Sequence, residues 1–171
     1  KKVVSITLGS SSQDYEFTTK FLGNDFTVQR IGTDGDEGEA WELLRRHQAK
    51  ADAIGLGMVR DHYQVGSKIF LQKDTQRLMN VVTRIPITTG ANLRKMLQVQ
   101  ALRHVQKELK NYFNNNLVLF LSGMLNYDMA MAMSDYTKNI KFADVLLQTG
   151  VPKLLTSVEQ LEVYAQGSDL A

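Results

Sequence analysis

The chain has 171 residues, a net charge of +2, 43% hydrophobic and 22% charged residues, and no cysteine. These proportions are ordinary for globular proteins and exclude a disordered chain or a strongly basic, nucleic-acid-binding surface. The absence of cysteine excludes disulfides, thiolate metal ligands and a cysteine nucleophile, and it favours a reducing compartment, so we expect a cytoplasmic protein.

The sequence also limits the kinds of partner. No apolar stretch is long enough to span a membrane, and the amino terminus runs into a strand-like segment instead of a signal peptide's apolar core. We therefore expect no membrane partner, and the ordinary charge predicts no nucleic-acid partner. The expected partner is a small-molecule ligand, and self-association into a homo-oligomer stays open. His47, His62 and His104 are scattered without zinc-ligand spacing, and helix capping explains most of the acidic residues at 34–39, so we expect no metal.

The first half of the chain alternates strand-like and helix-like segments. Apolar, β-branched runs predict strands at residues 3–8, 26–31 and 53–58, and a short strand at 68–71. A short helix is predicted at 17–22. A longer helix begins at the capping residue Asp36, with Glu39 in capping-box position, and Asp74 is predicted to cap the next one. A strand then starts at 85–87 and ends at 88–90, with Pro86 at its start or at a sheet edge.

The second half begins with the longest periodic segment. Apolar residues recur every three or four positions from Ala91 to about Phe113, which predicts a long amphipathic helix. The continuous apolar run at 117–121 is typical of a central parallel strand covered on both faces. A methionine-rich helix at 129–133 and a strand at 140–143 follow. The last helix is predicted to begin at Ser157, with Gln160 in capping-box position.

This alternation predicts an α/β fold with a mostly parallel, doubly wound sheet. The expected architecture is a three-layer αβα arrangement, Rossmann-like or flavodoxin-like, with one long amphipathic helix. Residues 1–90 are interpreted as a substrate-type α/β subdomain, and residues 91–171 as the long helix plus a Rossmann-like βαβ unit. A single continuous domain stays open as the alternative.

Ligand sites in such folds lie at the carboxyl ends of the strands. Small and polar residues occupy several of these predicted turns, where backbone can approach a ligand. The candidate substrate-binding residues are Gly9, Ser10, Ser11, Thr33, Asp34, Thr88 and Thr89. For any one of these turns, the simpler interpretation is that small residues only make a tight bend.

The segment 117–144 has the order of a dinucleotide-binding unit: strand, glycine turn, helix, strand, acid. Asp144 lies about 20 residues after Gly123, the spacing at which an acid holds the cofactor ribose. The candidate residues for NAD or NADP are Ser122, Gly123, Asn126 and Asp144. The turn carries one glycine where the fingerprint has three, so the alternative that Asp144 caps a turn stays open.

Four runs carry a resemblance to a known family: VVSITLGSS at 3–11, RIGTDGD at 30–36, DAIGLG at 52–57 and FADVLLQTGVP at 142–152. They resemble the amino-terminal half of a bacterial family described as quinate or shikimate 5-dehydrogenase-like. The resemblance implies a nicotinamide cofactor, a small polyhydroxy carboxylate substrate, and a chain that is an amino-terminal portion or short form. True shikimate dehydrogenases transfer protons with a lysine and aspartate pair. No matching motif carries that pair here, so the catalytic residues stay unknown.

Two hypotheses follow from the sequence. The first is a dehydrogenase-like protein that binds NAD or NADP and acts on quinate- or shikimate-type substrates. The second is a non-catalytic α/β ligand-binding or assembly module. Asp144 favours the first hypothesis, whereas the single glycine of the 122–126 turn favours the second.

Overall fold

A computed structural model describes residues 1–144, 147 and 150–167. These residues form two compact units. The first unit comprises Lys1–Asp61 and Leu71–Ala91, and the second comprises His62–Phe70 and the described residues from Asn92 onwards. None of the described helices is both long and apolar enough to cross a membrane.

The first unit is a mixed α/β structure built on a five-stranded, mostly parallel sheet, which confirms the predicted fold class at that level. Its strands and α-helices are β1 (Lys2–Thr7), β2 (Tyr15–Phe21), β3 (Asn24–Gly32), α1 (Glu37–His47), β4 (Ala53–Gly57), α2 (Lys73–Met79) and β7 (Ile87–Thr88). The sheet order is β2-β3-β1-β4-β7. Strand β1 lies parallel to β3 and β4, and β4 lies parallel to β7, whereas β2 is antiparallel to β3.

One face of this sheet carries the core of the first unit. Val4 and Ile6 of β1 lie beside Ile54 and Leu56 of β4, and all four are buried. They pack against apolar side chains of α1 and α2, including Leu44. The alternate residues of β1, such as Val3 and Ser5, lie on the opposite face and are only half-buried.

The helix predicted at 17–22 is wrong, because these residues belong to strand β2 and its turn. Every second residue from Tyr15 to Phe21 is apolar or a threonine, which is the period of a strand. The two turn residues Leu22 and Gly23 have φ angles of 47° and 75°. Two consecutive positive φ values are characteristic of the tight turn that joins antiparallel strands.

The two helix caps of the first unit have different outcomes. Asp36 caps α1 as predicted, because its carboxylate accepts a hydrogen bond from the Glu39 amide at 2.9 Å. The predicted cap of α2 is wrong: the helix begins after Gln72, which makes no side-chain cap bond. Asp74 lies in the first turn and pairs with Arg77 instead, at 3.0 Å.

The second unit contains two small sheets, three α-helices and one short 3-10 helix (Met124–Asn126) among its described residues. β5 (His62–Val65) pairs with β6 (Lys68–Leu71), and β8 (Val118–Phe120) lies parallel to β9 (Ile140–Phe142). The α-helices are α3 (Ala91–Glu108), whose first residue belongs to the first unit, α4 (Tyr127–Ser134) and α5 (Val158–Gly167). The Tyr127 hydroxyl donates a hydrogen bond to Glu162 and so joins α4 to α5; burial raises the pKa of Tyr127 to about 12.

One prediction for this unit is wrong about burial, and a second is confirmed over a shorter range. Among the described strands, β8 pairs only with β9, and Leu117, Leu119 and Leu121 are exposed, so β8 is not a central strand covered on both faces. The long helix α3 is confirmed, but it ends at Glu108 and exposes Leu93 and other apolar positions. Sequence periodicity reports which residues share a face, not whether another element covers that face.

The last helix begins where the sequence predicts. The Ser157 hydroxyl accepts a hydrogen bond from the Gln160 amide at 3.2 Å. The Gln160 side chain accepts from the Thr156 amide at 2.9 Å, one residue earlier than a capping box requires. Four positions of the motif at 142–152, namely 145, 146, 148 and 149, lie outside the described residues.

Candidate functional site

The carboxyl ends of β1, β3, β4 and β7 lie at one edge of the five-stranded sheet, because these four strands run in the same direction. Gly9, Ser10 and Ser11 follow β1, and Thr33 and Asp34 follow β3. The structure therefore brings two of the predicted substrate-binding turns to one place.

The β1 and β3 turns are joined directly through Asp34. Its carboxylate accepts hydrogen bonds from the Ser11 amide at 2.9 Å and from the Ser11 hydroxyl at 2.5 Å. The Asp34 amide donates to the Gly9 carbonyl oxygen at 3.1 Å. The Ser11 hydroxyl and amide lower the pKa of the exposed Asp34 carboxyl. A carboxylate has about four lone-pair positions, so Asp34 retains acceptor capacity for a ligand hydroxyl.

Gly32 allows the two turns to approach each other so closely. A Cβ atom at this position would lie 2.5 Å from the Ser10 carbonyl oxygen and 2.7 Å from the Gly9 carbonyl oxygen. Both contacts involve backbone atoms, which cannot move aside as the end of a flexible side chain can. Glycine is therefore required at this position for the β1 turn to lie against β3.

Arg30 and Asp14 also hold this edge, and the sequence analysis missed both. The Arg30 guanidinium donates to the Ser10 carbonyl oxygen at 2.9 Å and to the Asp14 carboxylate at 2.8 Å. Asp14 also accepts a hydrogen bond from the Gly32 amide at 2.7 Å. The available signal was a charged arginine inside a predicted strand, two residues before the Gly32-Thr33-Asp34 turn that supplies two of the candidate residues.

The remaining candidates of the first unit contribute less to this edge. Thr33 is buried, and its hydroxyl donates to the Thr7 carbonyl oxygen at 3.4 Å. Thr88 accepts a hydrogen bond from the Gly90 amide at 3.1 Å. β7, which precedes Thr89, lies two strands from β1, a separation of roughly 10 Å.

In the second unit, Asp144 and Gly123 lie in direct contact. The Asp144 carboxylate accepts hydrogen bonds from the Gly123 amide at 2.7 Å and the Met124 amide at 3.0 Å. Asp144 is only 4% exposed. In a dinucleotide-binding unit, these two amides would bind the pyrophosphate at the start of the helical segment, and the acid would bind the ribose. Here the amides and the Asp144 carboxylate bond to each other, so they are not free to bind a dinucleotide.

The other members of this turn stabilise it locally. The Asn126 side-chain amide donates to the Ser122 carbonyl oxygen at 2.9 Å. A Cβ atom at Gly123 would lie 2.2 Å from Cδ1 of Phe142 and 2.9 Å from the Asp144 carboxylate. Gly123 is therefore needed for packing against β9, a role that does not involve a ligand.

The acidic residues at 34–39 have separate roles. Asp34 binds Ser11 and Asp36 caps α1, so their carboxylates serve different elements. Within residues 1–144, 147 and 150–167, no three His, Cys, Asp or Glu side chains are grouped closely enough to hold a metal ion.

Two family models match the chain. The first, described as "Domain of unknown function (DUF8753)", covers residues 2–89, more than half of the chain. The chain belongs to this family. A second model, described as "Domain of unknown function (DUF8754)", is similar to residues 92–170. No curated protein matches the chain. The DUF8753 match spans all the candidate residues at the edge of the five-stranded sheet.

Proposed function

We propose that the first unit binds a small polyhydroxy carboxylate at the carboxyl edge of its sheet. The observation that carries this proposal is the bonding of Ser11 to Asp34. This bonding places the Asp34 carboxylate, which has spare acceptor capacity, beside the exposed residues Ser10 and Ser11. Such an edge suits the hydroxyl groups of a polyhydroxy ligand. The resemblance to the quinate or shikimate 5-dehydrogenase-like family supports the same class of ligand.

A non-catalytic ligand-binding module is the form of this proposal that the geometry favours. A dinucleotide at 122–144 would have to displace the Asp144 carboxylate from the Gly123 and Met124 amides. In this arrangement the Gly123 and Met124 amides are therefore not available to a cofactor pyrophosphate.

The dehydrogenase is the second candidate. It would bind NAD or NADP and oxidise a quinate- or shikimate-type substrate, in a doubly wound, Rossmann-like three-layer fold. The parallel pairing of β8 with β9, and the position of Asp144 two residues after the end of β9, support this candidate. The cofactor would supply the hydride chemistry.

Thermal unfolding with added ligands tests both candidates. Quinate or shikimate at 100 times its dissociation constant is expected to add about 2.7 kcal/mol of stability. Asp34→Ala is expected to remove the shift, because it removes the acceptor at the proposed site. Asp25→Ala is the matched control, since Asp25 lies near the start of β3 at the other end of the strand.

The outcomes separate the candidates. A shift with quinate or shikimate but not with NAD or NADP supports the binding module. A shift with NAD or NADP that Asp144→Ala removes supports the dehydrogenase. If neither quinate nor shikimate changes the unfolding temperature, the proposed binding site for a polyhydroxy carboxylate is wrong.

A further inference from the structure

The outer edge of the five-stranded sheet has features that point to a protein partner. β2 is the edge strand, and all seven of its residues are exposed. Tyr15, Phe17 and Phe21 alternate along it and therefore share one face. Residues that lie directly opposite each other in antiparallel strands share a face. Val28 of β3 lies opposite Phe17 and is therefore on this face. Phe26 of β3 is on it too, because it lies opposite Thr19. An exposed edge with an apolar face is a template for pairing with another strand.

The backbone groups available at this edge follow from the register. The Thr27 amide donates to the Lys1 carbonyl oxygen, on the β1 side of β3. Thr27 therefore directs its backbone groups away from β2, and its cross-strand partner Thr18 directs its own away from β3. Because backbone direction alternates along a strand, Glu16, Thr18 and Lys20 present their N–H and C=O groups outward.

The sequence of β2 is complementary to itself when two copies run antiparallel. With Thr18 opposite Thr18 on a two-fold axis, Glu16 of each copy lies opposite Lys20 of the other. Tyr15 then lies opposite Phe21, on the face that already carries the aromatic side chains. Opposite charges and aromatic pairs both stabilise antiparallel strands. If the pairing of the two β2 strands slipped by one residue, the aromatic side chains of the two copies would lie on opposite faces of the joined sheet.

We propose that two copies of this chain pair through β2, antiparallel and in register about Thr18, to form one continuous ten-stranded sheet. The three outward-facing residues of each copy supply six hydrogen bonds across the axis. Lys20 lies between Asp25 of its own β3 and Glu16 of the second copy. The charges of β2 thus act as pairing groups, whereas an isolated edge lysine would discourage association.

Charge reversal tests the register. Glu16→Lys alone places lysine opposite lysine at both ends of the interface, and Lys20→Glu alone places glutamate opposite glutamate. Each variant is expected to dimerise roughly tenfold more weakly than the original chain. An equimolar mixture of the two is expected to restore the dimer, because each lysine of one chain then faces a glutamate of the other. Glu42→Lys, an exposed reversal on α1, is the control and should leave the dimer unchanged.

Disulfide trapping tests the axis in the same protein. The chain has no cysteine, so every cross-link comes from the introduced residue. Opposing Cα atoms of a hydrogen-bonded pair lie about 5.5 Å apart, within the range for a disulfide. Thr18→Cys is therefore expected to cross-link to itself on oxidation. Glu16→Cys should not, whereas a mixture of Glu16→Cys with Lys20→Cys should.

The molar mass in solution decides the proposal. Light scattering or sedimentation is expected to give twice the chain mass of 19.3 kDa for the original chain. A monomer at every concentration tested would overturn the proposal. So would a dimerisation constant that is the same in Glu16→Lys and Lys20→Glu as in the original chain, or a dimer in which Thr18→Cys fails to cross-link.

Discussion

At the scale of single residues, the Ser11 hydroxyl lowers the pKa of the Asp34 carboxyl. Its hydrogen bond and that of the Ser11 amide lower the Asp34 pKa below the usual 3.8. Ser11→Ala removes the stronger of these bonds, so the pKa is expected to rise towards that value. A carboxyl-carbon NMR titration measures it. Ser12→Ala is the control, because the Ser12 hydroxyl bonds to Ser10; an unchanged Asp34 pKa in Ser11→Ala would contradict the prediction.

A second residue-scale prediction concerns His47, which is buried on α1. Its Nδ1 atom has no hydrogen-bond partner among the described residues. Burial, followed by the charge of Arg46, lowers the pKa of His47 below 6.5. The unfolded chain therefore takes up a proton more readily than the native one. Stability is retained above about pH 6.5 and decreases as the pH falls towards the lowered native pKa.

His47→Phe is expected to remove this pH dependence, because phenylalanine does not titrate. Urea unfolding at about pH 7.5 and about pH 5.5 measures the effect as a difference in the free energy of unfolding. The original chain should be less stable at the lower pH by more than the variant. Equal differences in the two proteins would show that His47 is not responsible.

At the scale of elements, Gly32 sets the distance between β3 and the β1 turn. Gly32→Ala forces its Cβ against the Ser10 backbone and is expected to cost about 1–3 kcal/mol of unfolding free energy. Gly55→Ala in β4 is the matched control, since its Cβ would lie no closer than 3.8 Å to any neighbour. Urea unfolding compares the two. Equal losses in both variants would contradict the role assigned to Gly32.

At the scale of the whole molecule, each unit has its own hydrophobic core. Asp144→Ala leaves the buried Gly123 and Met124 amides without their acceptor, which is expected to cost roughly 2–4 kcal/mol. Hydrogen exchange measures where this loss falls. Protection is expected to decrease at Phe142 in the second unit and to persist at Ile54 in the first.

The control for this experiment is Asp128→Ala, which breaks a partly exposed ion pair with Lys95 in the same unit. Such pairs contribute about 0–1 kcal/mol, so protection should change little. A uniform loss of protection over both units in Asp144→Ala would mean that the two cores unfold together.

The sequence by itself determined the features that depend on near neighbours along the chain. It located β3, β4, β9 and the caps Asp36 and Ser157, because apolar periodicity and capping act over a few residues. It also identified the turns that follow β1 and β3. Tyr15, Phe17 and Phe21 carried the signal of a strand, but the segment was interpreted as a helix because alternation over so few residues is weak evidence.

Only the tertiary structure decided which groups are paired and which remain available. Arg30 donates a hydrogen bond to Ser10, 20 positions away in the sequence, and Asp144 accepts one from Gly123, 21 positions away. No local sequence pattern predicts such hydrogen bonds. The exposure of Leu119 and the free edge of β2 depend in the same way on which strand lies alongside another. Residue order specifies the faces of each element, whereas the packing of distant segments specifies which of those faces are covered.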